Sequence, residues 1–269
     1  MARPFSSALS VAEALVIREA GFTPIAQVMG SCFYQVGWQS MPWGRLGWTG
    51  SFREGDTFEL ETQTAAWNDA RSLALSRLRD EAMAAGADAV VGVRLKRGGY
   101  DWAAGLVEFV AIGTAVRSER YEIDDAPVLS HLSGQDFAKL VRHGFWPVGL
   151  VAGSTVAYVV SGYGQQARSS GLFSGRQNQE LPDYTRGLYD ARALAMERVT
   201  REAHGLHAHG VVGVTIERSE QTRDRDAGGM TYRDLIIELH VLGTAIVAVR
   251  HDGPPSAKYI ALPLDREVP

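Results

Sequence analysis

The sequence predicts an α+β chain built as a tandem duplication: two β-α-β-β units, each preceded by a short helix. Three observations predict it. Blocks of residues recur in the same order in both halves, each half holds a long helix lined with alanine, and each of those helices is followed by two apolar strand patterns.

The repeat is read directly from the chain. Gly21-Phe22-Thr23-Pro24 returns 123 residues later as Gly144-Phe145-Trp146-Pro147, and Gly30-Ser31 returns as Gly153-Ser154 at the same shift. Asp69-Ala70-Arg71, Glu81-Ala82 and Val90-Val91-Gly92-Val93 return at a shift of 121 as Asp190-Ala191-Arg192, Glu202-Ala203 and Val211-Val212-Gly213-Val214. Gly113-Thr114-Ala115 returns as Gly243-Thr244-Ala245 at a shift of 130. The shift changes only where loops can absorb insertions. The predicted units are therefore residues 1–118 and 127–250, joined by a short acidic linker from Ser118 to Pro127, with an extended tail over 251–269.

Each unit should run through the same elements. A short helix comes first, over Val11–Ala20 and Gln135–His143, and a Gly-Phe-x-Pro turn ends it, because glycine and proline stop a helix. A strand follows, over Ile25–Val36 and Val148–Ser161, then a glycine-rich aromatic stretch, Gly37–Ala65 and Gly162–Pro182. The long helix is expected over Ala66–Ala85 and Asp183–His204. Its buried stripe is Ala70, Leu73, Ala74, Leu78, Ala82 and Ala85 in copy one, and Ala191, Leu194, Ala195, Val199, Ala203 and Leu206 in copy two. Two strands close each unit, Ala89–Lys96 with Val107–Arg117 and Gly210–Glu217 with Leu235–Arg250. The differing segments between them, Arg97–Trp102 and Ser219–Met230, read as exposed hairpin tips. Gly92 and Gly213 inside strands point to close approach by another element.

Bulk properties exclude several classes. With 45% apolar and 22% charged residues the 269-residue chain is globular, not disordered. A net charge of -4 gives no general attraction to nucleic acid or to an anionic membrane, so neither is expected as a partner. Cys32 is the only cysteine, which rules out an intramolecular disulfide and fits a reducing cytoplasm. Glu13 and Arg18 interrupt the first apolar run, so it reads as an amphipathic helix and not as a signal peptide; no stretch has the length of a membrane span.

Gly86-Ala87-Asp88-Ala89-Val90-Val91-Gly92-Val93, preceded by a helix rich in Arg, Glu and Ala and followed by Gly113-Thr114-Ala115-Val116, resembles the YbjQ-like family of heavy-metal-binding domains. The resemblance covers Ile25–Arg117 and Val148–Arg250; copy two departs from it at His207 and His209, which replace Gly86 and Asp88. It implies a β-α-β-β domain, similar to dodecin-like subunits, that assembles into pentamer-type rings of like chains, and it implies no reaction. A fused pair leaves two ring arrangements open: two stacked rings, or copies alternating around one.

One candidate metal site stands out. His204, His207 and His209 lie around the end of the second long helix, and Glu238 and His240 lie two apart on the last strand, facing one side. Imidazole with carboxylate suits a divalent transition metal, the one cofactor the residues offer. Against that, histidine near a helix C-terminus also complements the helix dipole, and the copy-one counterparts Met83, Gly86, Asp88 and Val110 make a poor ligand set. Cys32 either meets other cysteines on a ring axis or is a buried small hydrophobe, and burial is the ordinary reading. Arg77 with Glu81, repeated as Arg198 with Glu202, is a helix-face ion pair or pairs across an interface; Glu108 and Glu238 are ligands, cross-strand partners or solvated. Trp38, Trp43, Trp48 and Phe52 form either a surface that binds a protein partner or a cover for their own core; copy two carries Tyr163 and Phe173 instead. No nucleophile elbow, phosphate loop, zinc-protease motif or dinucleotide fingerprint occurs, so the sequence predicts a non-enzymatic oligomeric scaffold, with a metal-binding or metal-sensing role as the alternative.

Overall fold

The computed structural model describes residues 6–37, 55–99, 105–120, 126–162, 180–227 and 229–248. Trp38, Trp43, Trp48, Phe52, Tyr163, Phe173 and the 251–269 tail lie outside the described residues. Copy one runs α1 (Val11–Glu19), β1 (Phe22–Gln35), β2 (Thr57–Glu59), α2 (Glu61–Ala84), β3 (Ala89–Gly99) and β4 (Leu106–Ser118). Copy two runs β5 (Val128–Leu129), α3 (Gly134–Arg142), β6 (Phe145–Val159), α4 (Pro182–Gly205), β7 (Gly210–Ala227) and β8 (Met230–Ala248). The α+β class and the tandem duplication hold.

Local signals fix the ends of the short helices. The Ser10 hydroxyl caps α1 by accepting from the Glu13 N–H, and the Glu13 carboxylate returns to the Ser10 N–H at 2.8 Å. Ser133 caps α3 in the same way through the Asp136 N–H. Gly21 and Gly144, at φ 89° and 77°, take the left-handed conformation that ends both short helices.

Each long helix covers one sheet, and the fit is set by small residues. The buried ridge is strictly four-spaced: Ala70, Ala74, Leu78 and Ala82 on α2, and Ala191, Ala195, Val199 and Ala203 on α4. Leu73 and Leu206, expected in the stripe, are 42% and 38% exposed, because a helix lying this close to its sheet buries only one narrow row. The sheet answers with glycine. A Cβ on Gly30 would sit 2.1 Å from the Ala74 carbonyl oxygen, and one on Gly153 would sit 2.2 Å from that of Ala195. Gly92 and Gly213 occupy β-bulges at φ 67° and 65°, the left-handed residue that such a bulge requires, and the expected close approach holds at Gly213, where a Cβ would sit 2.7 Å from Leu132.

The sheets do not respect the repeat boundary. One has strand order β1-β4-β3-β5 and the other β2-β6-β8-β7. Thus β5, the opening of copy two, pairs in parallel with β3, while β2 of copy one pairs antiparallel with β6. The cores are shared as well. Ile17, Phe22, Val91 and Val116 pack with Phe137, Ala138 and Val141 in one cluster. Cys32, Trp67 and Phe109 pack with Val156, Tyr158 and Val160 in another.

One predicted loop is not a loop. Ser219–Asp226 continues β7, paired residue by residue with β8 as far as Ala227 opposite Met230. Its side chains are mostly exposed because β7 is the outer strand of its sheet. Near the hairpin tip Arg225 grips Asp234 at 2.6 and 3.2 Å, while Tyr158 donates to the same carboxylate at 2.6 Å. Burial acts to raise the pKa of Asp234, but the bonds from Arg225, Tyr158 and the Ser161 N–H outweigh it and hold the carboxyl below its ordinary value.

Two stability measurements follow. Gly30→Val and Gly153→Val each drive a side chain into a helix backbone and should cost about 1–3 kcal/mol or more in chemical denaturation. Asp234→Asn removes the carboxylate, itself fully buried, that the half-buried Arg225 and Tyr158 bond, and should cost about 1–3 kcal/mol near neutrality. Because the Asp234 pKa is depressed in the fold, the wild-type advantage is fully present above the unfolded value of about 3.9 and should shrink as pH falls below it.

Candidate functional site at the junction of the two copies

The densest set of polar side chains among the described residues lies where α2 of copy one meets β6 and β8 of copy two. Asn68 on α2 donates to the Ser154 carbonyl at 3.0 Å and accepts from the Ser154 N–H at 3.1 Å, completing a strand edge with a side chain. One turn earlier Thr64 accepts from the Val156 N–H at 2.9 Å. Arg71, 3% exposed, pairs with Glu202 of α4 at 2.8 Å. Glu202 meanwhile accepts from the Ala152 N–H at 2.8 Å, so one carboxylate links a strand, its covering helix and the other copy. Arg198 bonds the Thr155 hydroxyl at 2.8 Å and pairs with Glu59 at 2.7 Å.

Beside this polar ladder lies an aromatic stack. The Trp67 ring lies 4.9 Å from His240 at 22°, and the Arg97 guanidinium sits 4.6 Å over the Trp67 ring. Arg97 then reaches the buried Glu238 at 2.5 Å. Burial pushes the Glu238 pKa up and Arg97 opposes it. His240 is pushed down to about 3, first by burial and then by the positive charges of Arg97 and Arg71. Its Nδ1 lies 2.9 Å from the Ser154 hydroxyl.

This arrangement ties α2 and β3 of copy one to β6, β8 and α4 of copy two. Ser154 and His240 have the spacing of a nucleophile and base, but Ser154 is 1% exposed and an imidazole held neutral down to a pKa of about 3 is a poor proton acceptor. The adjoining groove, about 380 Å3, is lined by Glu59, Asp69, Arg71, Arg198 and Glu202, which are largely engaged with each other.

The five predicted ligands fall in two places. Glu238 and His240 belong to the buried junction, while His204, His207 and His209 lie exposed around the end of α4. Among the described residues no three His, Cys, Asp or Glu side chains are grouped to hold a metal ion. His209 secures a strand end. Its Nδ1 accepts from the Ala248 N–H at 3.0 Å, as Asp88 accepts from the Ser118 N–H at 2.7 Å in copy one. His207 stands at φ 51°, where copy one has Gly86 at φ 70°. Cys32 is 2% exposed, as a small core residue.

Arg77–Glu81 and Arg198–Glu202 are not helix-face pairs. Glu81 accepts from the Met29 N–H at 2.7 Å and Arg77 donates to the Ser31 carbonyl, so both clamp helix to strand, as their copy-two counterparts do. Sequence reasoning missed Trp67, Asn68, Arg97 and His131. The usable signal was divergence: Trp67 stands where copy two has Leu188, and His131 where copy one has Ala8. His131 bridges the Thr244 hydroxyl at 2.8 Å and the Gly213 carbonyl at 2.5 Å.

His207→Gly tests the structural reading of that histidine. It removes a left-handed side-chain penalty and should raise stability by about 0.5–1 kcal/mol in denaturant melts.

The comparisons with known proteins agree with this architecture. A family profile described as "Putative heavy-metal-binding", the YbjQ-like family, matches residues 50–119 and again 147–249. An encapsulin nanocompartment protein of Mycobacterium tuberculosis is 38% identical over 79% of this chain and 77% of its own length. A UPF0145 protein of Hahella chejuensis is 35% identical over 40% of this chain and 86% of its own, so one relative spans about one copy. A UPF0145 protein of Clostridium perfringens is 43% identical over 22% of this chain and 53% of its own. With matches in both halves and a buried junction between them, the chain belongs to the YbjQ-like family and carries its domain twice.

Proposed function

We propose that this protein is a non-enzymatic scaffold that assembles with copies of itself into a ring-type homo-oligomer and serves as a component of a multi-chain assembly in the cytoplasm. One observation carries the reading: the contact between its two copies is constructed as a subunit interface is, with sheet edges, apolar cores and charged pairs all shared. A domain that completes its sheet and core on a second domain has surfaces made for association. The relatives support the reading, since one is named as a nanocompartment protein and the others carry no enzyme name. The half-buried His240, its pKa pushed down to about 3, and the ion-paired groove favour no reaction. No described helix is long and apolar enough to cross a membrane. A protein partner docking on the 38–54 aromatic segment belongs to the same proposal.

The family's description makes metal binding the competing reading, and a single preparation tests both. Untagged protein measured by native mass spectrometry should give a mass several times the 29.2 kDa of one chain, without stoichiometric bound metal. A single-chain mass in dilute solution overturns the scaffold, and one retained transition-metal ion per chain, lost in His207→Ala, establishes the competitor.

A further inference from the structure

The junction within the chain joins two different faces of one repeated unit, and each face has a second, uncovered version. Copy one contributes a groove between α1, the start of β1 and β3, together with the outer edge of β3. Copy two contributes residues 128–132 and α3. There the N–H groups of Gly92 and Val93 donate to the Leu132 and Ser130 carbonyls at 3.0 Å each, and Phe137 and Ala138 fill the groove.

The repeat locates the second groove. The counterparts of Ile17, Ala20, Phe22, Val91 and Gly92 are Leu140, His143, Phe145, Val212 and Gly213, which line an open pocket of about 400 Å3. Phe145 is 39% exposed where Phe22 is 0%, and Val214 is 41% exposed where Val93 is 2%. Among the described residues, β7 is an edge strand with nothing paired outside it.

The repeat also locates the second insert. The counterparts of Gly134 and Ala138 on α3 are Val11 and Leu15 on α1, 80% and 58% exposed. Residues 6–9 correspond to 129–132 and are already held in the matching way: the Ala8 N–H donates to the Thr114 hydroxyl at 3.0 Å, as the His131 N–H donates to that of Thr244 at 3.3 Å. The charged contact has its counterpart too. Arg71–Glu202 corresponds to Arg192 and Glu81, and Glu81 is presented from the Met29 N–H just as Glu202 is from the Ala152 N–H. Met29 is 52% exposed where Ala152 is 2%.

We infer that the β7 edge and the Phe145 groove of one chain receive residues 6–9 and the Val11–Leu15 face of α1 from a second copy of the same chain, with Arg192 of the first paired to Glu81 of the second. The inference rests on the assembly reading above and names its contact. The contact is head-to-tail and repeats the one inside each chain, so copies one and two alternate around a single ring with an even number of domains. Stacked rings, each made of one copy type, would not use it.

The test is complementation of two capped variants. Leu15→Glu blocks the insert and Phe145→Glu blocks the groove; each alone should sediment as a single chain, with its far-UV circular dichroism unchanged because both positions are exposed. Mixed in equal amounts they should form a two-chain species and go no further, since one intact insert meets one intact groove. Arg192→Glu should lower the assembled fraction at least tenfold at low micromolar concentration, and adding Glu81→Arg in the same chain should restore it. If wild type is itself a single chain, the assembly reading and this inference both fall. If wild type assembles but either capped variant keeps the wild-type mass, or the mixture stays monomeric, this contact alone is overturned. Should a capped variant misfold, the Arg192/Glu81 exchange decides the matter: no loss with Arg192→Glu, or no rescue, overturns the contact.

Discussion

Where β5 runs beside β3, the amides of Gly92 and Val93 find the carbonyls of Leu132 and Ser130, and the Ser130 amide finds the carbonyl of Val90. These few bonds at a strand edge organise much of the rest. A sheet edge exposes a row of unmet donors and acceptors, and a protein must cover, charge or use it. This chain covers the β3 edge with the opening of its own second half. To do so it brings α3 onto α1 and closes a core that belongs to neither copy alone. The far side of the junction repeats the logic, with β2 of copy one extending the β6 edge of copy two.

Close helix–sheet contact is what makes so small a unit workable. The four-spaced alanine ridge and the glycines at 30 and 153 let backbone meet backbone, which leaves each domain thin. A small domain buries little apolar area by itself, and the two copies add to it by sharing cores. The polar residues follow from the same constraint. Asn68, Thr64 and Glu202 each satisfy a backbone amide that the missing part of a sheet would otherwise have satisfied. The Trp67–His240 stack and the Arg97–Glu238 pair seal the space between them.

The copies have diverged where their surroundings differ. At the junction Trp67 and Asn68 of copy one stand where copy two has Leu188 and Tyr189, while the charged Arg71 and Arg97 recur as Arg192 and Arg218. The histidines of copy two, which look like a ligand set in one dimension, are scattered by the fold: one replaces the strand-capping Asp88, one takes a glycine conformation, and one is sealed beneath a tryptophan. Their chemistry is decided by what surrounds them and not by their number.

The sequence alone determined the duplication, the order of the main helices and strands and the family, because these depend on local spacing and on recurrence along the chain. It also marked Gly30 and Gly153, though without saying that a helix carbonyl lies against them. Only the tertiary structure decided that the two sheets exchange strands, that Arg77 and Glu81 grip a strand instead of each other, that the polar 219–226 segment is a strand, and that His240 and Glu238 lie in the junction apart from His204, His207 and His209. Those outcomes depend on which edges and faces meet between residues far apart along the chain, and no local periodicity encodes such a meeting.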